Sequence, residues 1–457
     1  MAIAKLAPNS RNLPNQLTLN DQPAHHGGEG SVYFTTDGQY AVKIYHRPAS
    51  DKQRLLKQVL DLGRNLGDDE RFLAWPLGII NEIDGEPTVG VVTRCVPPTH
   101  APLYRFIYSP KDAIKQFGEG RSWLNYLKMA RSTAAAVRTI HGKGMAHADI
   151  HLKNFLADPE SGEVVLIDLD GLVVRGFLPP QVKGMPGFIA PEVLMAKAQP
   201  SELTDRHSAA VLILWILLLR NVMLTQTCID EDDERHDDEL GYGKFACFSE
   251  HPIERRNWIS QIGIPLFRKG ALSFRMLTPK LQALTEKALI EGLHEPSKRP
   301  QVIEWERALS EAYDALIGCP SCHQSFVYPY WLTPPLRQCP LCGSNVIPPF
   351  PAVLELLEPR SKGTLVALRT IVLYQGMPLF ADVVEPGRLP PFTRRGSASI
   401  GQVAWETNER GYRLTNTGND FWQLSSGERI KPGASVSLHK GAMINFGNDK
   451  RVMRVVL

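Results

Sequence analysis

HADIHLKN, residues 147–154, and LIDLDG, residues 166–171, decide how the rest of the chain is read. Asp149 and Asn154 stand five positions apart, just after the helical pattern Ser122–Ile140 and the turn signal His141-Gly142. Asp168 closes the short apolar strand Val164–Ile167. A carboxylate there is costly unless it meets a cation or several donors. Upstream, HHGGEGSV (25–32) sets glycines before a strand, where the backbone can approach a phosphate and turn its amides on it. Taken alone, such a run is equally well a turn. Lys43, in AVKIY, is a lone cation on a predicted strand, eleven residues after Val32; taken alone it is an ordinary exposed lysine. Together the four elements supply what phosphoryl transfer needs: a loop over the phosphates, a lysine to neutralise them, an aspartate for the hydroxyl proton, and Asn plus Asp for Mg²⁺.

Strand patterns come first and helical ones second. Ser31–Tyr45 reads as two strands around an Asp37-Gly38 turn, and Ser50 as the cap of a helix through DKQRLLKQVLDLGRNL. Thr88–Val96 reads as a strand stopped by Pro97-Pro98. Beyond residue 168 the pattern is helical. This order implies an α+β fold of two lobes with a cleft between them.

Order and spacing resemble the protein-kinase family over about residues 20–310. MPGFIAPEV (185–193) is similar to that family's segment ending in Ala-Pro-Glu, here Ala190-Pro191-Glu192. Asp205 is similar to the aspartate opening its buried helix, and Ser297-Lys298-Arg299-Pro300 to its late Arg-Pro motif. The resemblance implies a Glu192–Arg299 ion pair. It implies ATP and Mg²⁺ as cofactors, Asp149 as the base, and Lys43 on the α/β-phosphates. Asn154 and Asp168 would hold Mg²⁺. Gly27, Gly28, Gly30 and Val32 would cover the nucleotide, Thr93 would be the gatekeeper, and Arg94–Val96, with Cys95, the hinge facing adenine.

The departures carry information. His25 replaces the first loop glycine. His147-Ala148-Asp149 lacks the arginine that holds a phosphorylated activation loop, and residues 169–191 contain no Ser, Thr or Tyr. A kinase not switched by phosphorylation in that loop is expected. His151 stands where a lysine is usual and Asp170 where glycine is usual, both similar to small-molecule kinases of the aminoglycoside-phosphotransferase type. No glutamate lies between Lys43 and Asp69 to pair with the lysine; Asp61 has about the right spacing, with Asp51 and Gln58 as competitors. If none pairs, a pseudokinase scaffold enters as a third reading.

Cys319-Pro-Ser-Cys322 and Cys339-Pro-Leu-Cys342 form two CxxC knuckles with 16 residues between them. Four thiolates at this spacing predict a closed, structural Zn²⁺ site resembling a zinc ribbon; disulfides or a redox pair are the alternatives. Cys95, Cys228 and Cys247 lie outside it and read as packing residues. From about 350 onward, short β-rich runs alternate with turn signals, as in a β-sandwich. Tyr412–Gly447 resembles the second half of a forkhead-associated (FHA) domain, with Arg394, Arg395, Ser397, Ser399 and Asn416 as the nearby phosphate-contact candidates. The expected domains are 1–316, kinase-like, with lobes of about 1–95 and 96–316; 317–348, the zinc module; and 349–457, the β-sandwich.

The chain of 457 residues carries 51 basic and 48 acidic side chains, a net +3. That balance excludes a surface that is basic throughout, and no nucleic-acid partner is expected. The 14 basic and 9 acidic residues of the tail give it +5, which leaves the rest at −2. Asp230–Glu239 holds eight acids in ten residues and reads as a solvated loop. The longest apolar run, Ala209–Leu219, has eleven residues, against about 20 for a membrane span; a buried helix, no membrane partner and a cytoplasmic location are expected. The domain order resembles the kinase of the bacterial tellurium-resistance-associated phosphorylation triad. That resemblance implies a protein substrate with a von Willebrand A domain and a PP2C-type phosphatase as counterpart.

Overall fold

The computed structural model describes residues 1–8, 10, 12–63, 66–174, 184–223, 234–254, 271–332, 338–360, 364–387, 397–448 and 450–456. The chain divides into two units. One comprises 1–121, 128–262 and 284–306; the other comprises 122–127, 263–283 and 307–457.

The first unit begins with a seven-stranded antiparallel sheet. Its strands are β1 (Ala2–Leu6), β2 (Gln16–Leu19), β3 (His25–His26), β4 (Gly30–Phe34), β5 (Tyr40–Tyr45), β6 (Gly78–Ile83) and β7 (Glu86–Arg94). They are ordered β2-β1-β6-β7-β5-β4-β3. The Asp37-Gly38 turn joins β4 to β5 as expected, with Gly38 at φ +69°. β1 and β2 are additions that the sequence reading passed over. The end of β2 returns to β4: the Asn20 amide donates to the Phe34 carbonyl at 3.0 Å and that of Thr36 to Thr18 at 2.9 Å. The sheet thereby closes on itself, which removes an exposed strand edge. Alternate residues face inward, and Ala4, Leu17, Leu19, Val42, Ile80 and Val92 form the enclosed core.

The register fixes the other face. Val32 lies opposite Lys43 and Lys43 opposite Val91; Phe34, Ala41 and Thr93 make the next row. Side-chain alternation therefore puts Val32, Lys43 and Thr93 on one face, away from the enclosed core. Helix α1 (Lys52–Leu62) follows β5, with Asp51 rather than Ser50 at its N-cap position and no side-chain cap bond. It buries Leu55, Leu56, Val59 and Leu60, the 3.6-residue stripe visible in the sequence.

The rest of this unit is mainly helical. Helices α2 (Tyr104–Ile107), α3 (Pro110–Gly118) and α4 (Trp123–His141) lie between the first and the later strands of a small sheet of β8 (Ala101–Pro102), β9 (Phe155–Ala157) and β10 (Val164–Leu166). After it come α5 (Pro191–Leu194) and α6 (Glu202–Leu218). Every residue of α6 from His207 to Leu218 is buried, so the apolar run is core. Among the described residues no helix is long and apolar enough to cross a membrane. The acidic run departs from its loop assignment. Glu234–Glu239 is helical and continues into a five-residue π-helical segment, Leu240–Lys244. Residues 230–233 and Cys228 lie outside the described residues.

The second unit carries the cysteine knuckles, with β11 (Leu316–Gly318) pairing β12 (Ser325–Val327), and two further sheets. The six-stranded sheet runs from 365–373 through 352–359, 452–455, 443–445 and 422–424 to 429–430. The four-stranded one runs from 378–380 through 399–406 and 411–416 to 435–437. One shared core takes Leu354, Leu356 and Met453 from the first sheet and Val403, Leu414 and Val436 from the second. Two sheets over one core make the expected β-sandwich. Asp314, fully buried, pairs with Arg369 at 3.2 Å within this unit.

Candidate active site and cysteine centre

The segment 147–154 is a chain of local hydrogen bonds. Asp205, 1 % exposed, accepts from the His147 amide at 2.6 Å and the Ala148 amide at 2.9 Å, and its carboxylate meets His141 Nε2 at 3.1 Å. These bonds hold Ala148 at φ +68°, a conformation that costs an L-residue about 1–2 kcal/mol unless its surroundings impose it. His147 Nδ1 accepts from the Asp149 amide at 3.3 Å. The opposite ring nitrogen, Nε2, is therefore the one that donates to the Ile167 carbonyl at 3.2 Å. The Ile167 amide in turn donates to the Asn154 carbonyl at 2.9 Å. The two loops that bear the candidate acids are thus fastened to each other on both sides of Ile167.

Asp149 Oδ2 receives His151 Nε2 and Asn154 Nδ2, each at 3.1 Å. His151 Nδ1 accepts from the Lys153 amide at 3.1 Å, which fixes the neutral tautomer with its proton on Nε2. Burial pushes the Asp149 carboxyl up, but the His151 and Asn154 bonds outweigh it and hold the group below the usual carboxylate range. Oδ1 of Asp149 and Oδ1 of Asn154 have no protein partner among the described residues. Asp149 thus presents one carboxylate oxygen held by neighbours and one without a protein donor among the described residues.

Lys43 is brought to Asp168 across 125 positions of sequence, Nζ to Oδ1 at 2.6 Å. Asp168 sits at φ +63°, a left-handed turn out of the β10 strand. The structure answers the open question about the lysine's helix partner: it is neither Asp61, which is exposed, nor Asp51, which pairs with Arg54 at 3.2 Å, nor Gln58. The carboxylates on Lys43 are Asp168, Asp170 at 3.2 Å and Glu29 at 3.4 Å. Burial works to lower the Lys43 pKa, but Asp170 and Asp168 override it and raise it. Burial and Asp170 push the Asp168 carboxyl up, whereas Lys43 and Lys52 overcome burial and pull the Asp170 carboxyl down. The sequence reading noted Asp170 only as a departure and missed Glu29, Tyr45 and Lys52 as neighbours of this cluster. The signal was present: two acids one residue apart in LIDLDG, with no glutamate on the helix.

The glycine segment 27–30 is the tight turn between β3 and β4, closed by the Gly27 amide on the Gly30 carbonyl at 2.9 Å. Only Gly30 is sterically obligatory, since a Cβ there would stand 2.4 Å from the Ile44 carbonyl oxygen; Gly28 has open space. At the position expected to be the hinge, the Cys95 amide donates to the Gln39 carbonyl at 2.9 Å and so extends the strand ladder. That amide is spent, which leaves to Cys95 only its side chain and carbonyl for a nucleotide.

Glu192 and Arg299 form the expected pair, bidentate at 2.7 and 2.8 Å. The Arg299 side chain is fully buried and also donates to the Gly292, Leu203 and Leu293 carbonyls.

Residues 113–302 match the family model for the protein kinase domain. That segment is similar to a protein kinase domain. The match takes in Asp149, Asn154, Asp168, Glu192 and Arg299; Lys43 and the glycine turn lie before it. Among curated proteins, the chain is 25 % identical over 347 residues to "Protein kinase YegI" of Escherichia coli K12, covering 72 % of this chain and 49 % of that one. The same protein from Escherichia coli O157:H7 is 25 % identical over 336 residues, covering 69 % and 47 %. A "Dual serine/threonine and tyrosine protein kinase" of Apis mellifera is 30 % identical over 108 residues, covering 24 % and 11 %. The chain spans about half the length of the two YegI proteins it matches.

In the second unit the sulfurs of Cys319, Cys322, Cys339 and Cys342 lie within 4.8 Å of one another. Cys319 faces Cys342 at 3.6 Å and Cys322 faces Cys339 at 3.7 Å. Four sulfurs at about 2.3 Å from a central Zn²⁺ would be separated by nearly these distances, so the donor set and spacing fit zinc. The knuckles repeat one backbone turn: the His323 amide returns to the Cys319 carbonyl and the Gly343 amide to Cys339, with both residues left-handed. His323 therefore serves the turn.

In the sandwich, Asn416 is fully buried and donates to the Asp420 and Ile430 carbonyls while accepting from the Gly418 amide. Ser399 Oγ donates to the Gly401 carbonyl at 3.0 Å. Both side chains are committed internally. Arg394 and Arg395 lie outside the described residues.

Proposed function

We propose that the chain is an ATP- and Mg²⁺-dependent Ser/Thr-directed phosphotransferase acting on a protein. One observation carries this reading: Lys43 and Asp168 meet at 2.6 Å on a loop hydrogen-bonded to the Asp149–Asn154 loop. Lys43 takes the α/β-phosphates, under the turn of Gly27, Gly28 and Gly30 and the Val32 side chain, with Thr93 and Cys95 toward the base. Asn154 Oδ1 and the Asp168 carboxylate are oxygen donors of the kind Mg²⁺ prefers. When bound, the ion supplies charge neutralisation at the phosphates. Asp149, oriented by His151 and Asn154, accepts the proton of the acceptor hydroxyl through its unpartnered oxygen.

The protein substrate is supported by the Glu192–Arg299 pair, which belongs to the Ala-Pro-Glu and Arg-Pro motifs of the protein-kinase resemblance. The zinc-ribbon reading of the cysteine module and the FHA-like reading of the sandwich support partner binding. With the kinase domain in that order, they support a von Willebrand A-type substrate opposed by a PP2C-type phosphatase. His151 on Asp149 favours a second reading, a small-molecule kinase. Transfer from γ-³²P-ATP separates these readings, with Asp149→Asn as control. Label on a protein acceptor, lost in the variant, supports the proposal; label on a metabolite alone overturns it. ATP binding without any transfer points to the scaffold instead.

A further inference from the structure

Beyond Asp168, nearest at 2.6 Å, Lys43 has a second, buried carboxylate, and it does not come from helix α1. It comes from Asp170, and α1 supplies a cation in its place. Lys52, in the first turn of α1, is 7 % exposed, and its Nζ lies 3.3 Å from Asp170 Oδ2 and 3.4 Å from the Asp170 carbonyl. Lys43 reaches the same Oδ2 at 3.2 Å. The Tyr45 hydroxyl donates to that oxygen as well, and Lys52 Nζ sits 4.5 Å from the centre of the Tyr45 ring. Two ammonium groups and one phenol therefore converge on one oxygen of a carboxylate that is 6 % exposed.

Each buried charge in this cluster would be costly alone. Asp170 beside Lys43 without Lys52 would leave Asp168 and Asp170 with one cation between them. Lys52 without Asp170 would face Lys43, like charge against like. The sequence is consistent with this arrangement: α1 has no glutamate, and the acid absent from it stands in the LIDLDG loop.

We propose that Asp170 and Lys52 are positioning residues of the phosphate site. Asp170 sets the place of Lys43, and Lys52 holds Asp170. Helix α1 is thereby tied to the loop after β10 by a cation. The consequence for nucleotide rests on the phosphotransferase reading above; the ionic network does not.

The test is a charge-relocation cycle in the full chain: Lys52→Glu, Asp170→Asn and the double variant, with Lys52→Arg beside them. Two quantities are read, both without chelator: the melting temperature without nucleotide or added Mg²⁺, and the Kd for ATP with Mg²⁺ by calorimetry. Each single change of the cycle is expected to lower the melting temperature and to weaken ATP binding about tenfold, the equivalent of one broken charge contact. The double variant is expected to recover most of both losses, because its helix carboxylate faces Lys43 with no second acid behind it. Lys52→Arg is expected to stay near wild type. Losses that simply add in the double variant overturn the proposal, as does a Lys52→Glu protein that melts and binds like wild type. If wild type itself binds no ATP, the phosphotransferase reading fails, and the nucleotide-free melting cycle alone decides the network by the same criterion. If Lys52→Glu does not fold, Lys52→Met replaces it: retention by Arg with loss by Met supports the proposal, and equal behaviour of the two overturns it.

Discussion

Asp149 shows how a single side chain is tuned by its neighbours. Its carboxyl is held low, so the ionised form prevails above that depressed pKa, and base function is lost as pH falls through it. Without the His151 donor the value rises. His151→Ala is therefore expected to move the acid limb of kcat/KM to higher pH, measured as a pH–rate profile with a protein acceptor; an unmoved limb would refute the role. Glu29 is the opposite case, a 63 % exposed acid at 3.4 Å from Lys43, where a phosphate would compete with it. Exposed pairs are weak, so Glu29→Gln is expected to tighten ATP binding only about two- to threefold. Calorimetry giving an unchanged or higher Kd would count against competition. Asp149, Asn154, Lys43 and Asp168 could be picked out from spacing in the sequence. The partners of Lys43 could not, because pairing at 3 Å depends on side chains 125 positions apart, and a helix lysine pointing at a loop aspartate leaves no local pattern.

Among the elements, the short stretch around α5 depends on one ion pair. Glu192→Ala would leave the fully buried Arg299 guanidinium facing backbone carbonyls alone. Removing one partner of such a pair costs about 3–5 kcal/mol, read as a drop in the urea midpoint at unchanged m-value. A loss under about 1 kcal/mol would mean that the three carbonyls suffice. The central strands and long helices were legible, since β4, β5, β7 and α4 follow their hydrophobic periods and α6 carries an unbroken apolar run. The strands β1 and β2 were not, although AIAKL and QLTL alternate. Four- and five-residue alternations are common outside strands, and what makes these two into sheet is closure against β4 and β6, a contact between distant segments.

For the whole molecule, the cysteine cluster of the second unit makes its own demand on stability. The four convergent thiols lead to the expectation of one zinc per chain by elemental analysis. Chelation is expected to lower the melting temperature, since structural metal binding adds directly to folding free energy. A metal-free protein melting at the same temperature would refute a structural zinc. The mild net charge is shared unequally: the tail is basic and the remainder slightly acidic. Local order along the chain was enough to settle what is local in origin: the α+β pattern, the two knuckles, the motif acids and the buried apolar helix. Each of these rests on a period, a turn or a spacing within a few residues. Three-dimensional packing settled the rest: the closed sheet, the commitment of Asn416 to its own turn, and Asp170 with Lys52 in place of a helix glutamate. Those outcomes depend on which backbone edges, buried polar groups and buried charges find each other after folding. The cost of leaving one unpaired is large, but it falls on pairs that sequence distance hides.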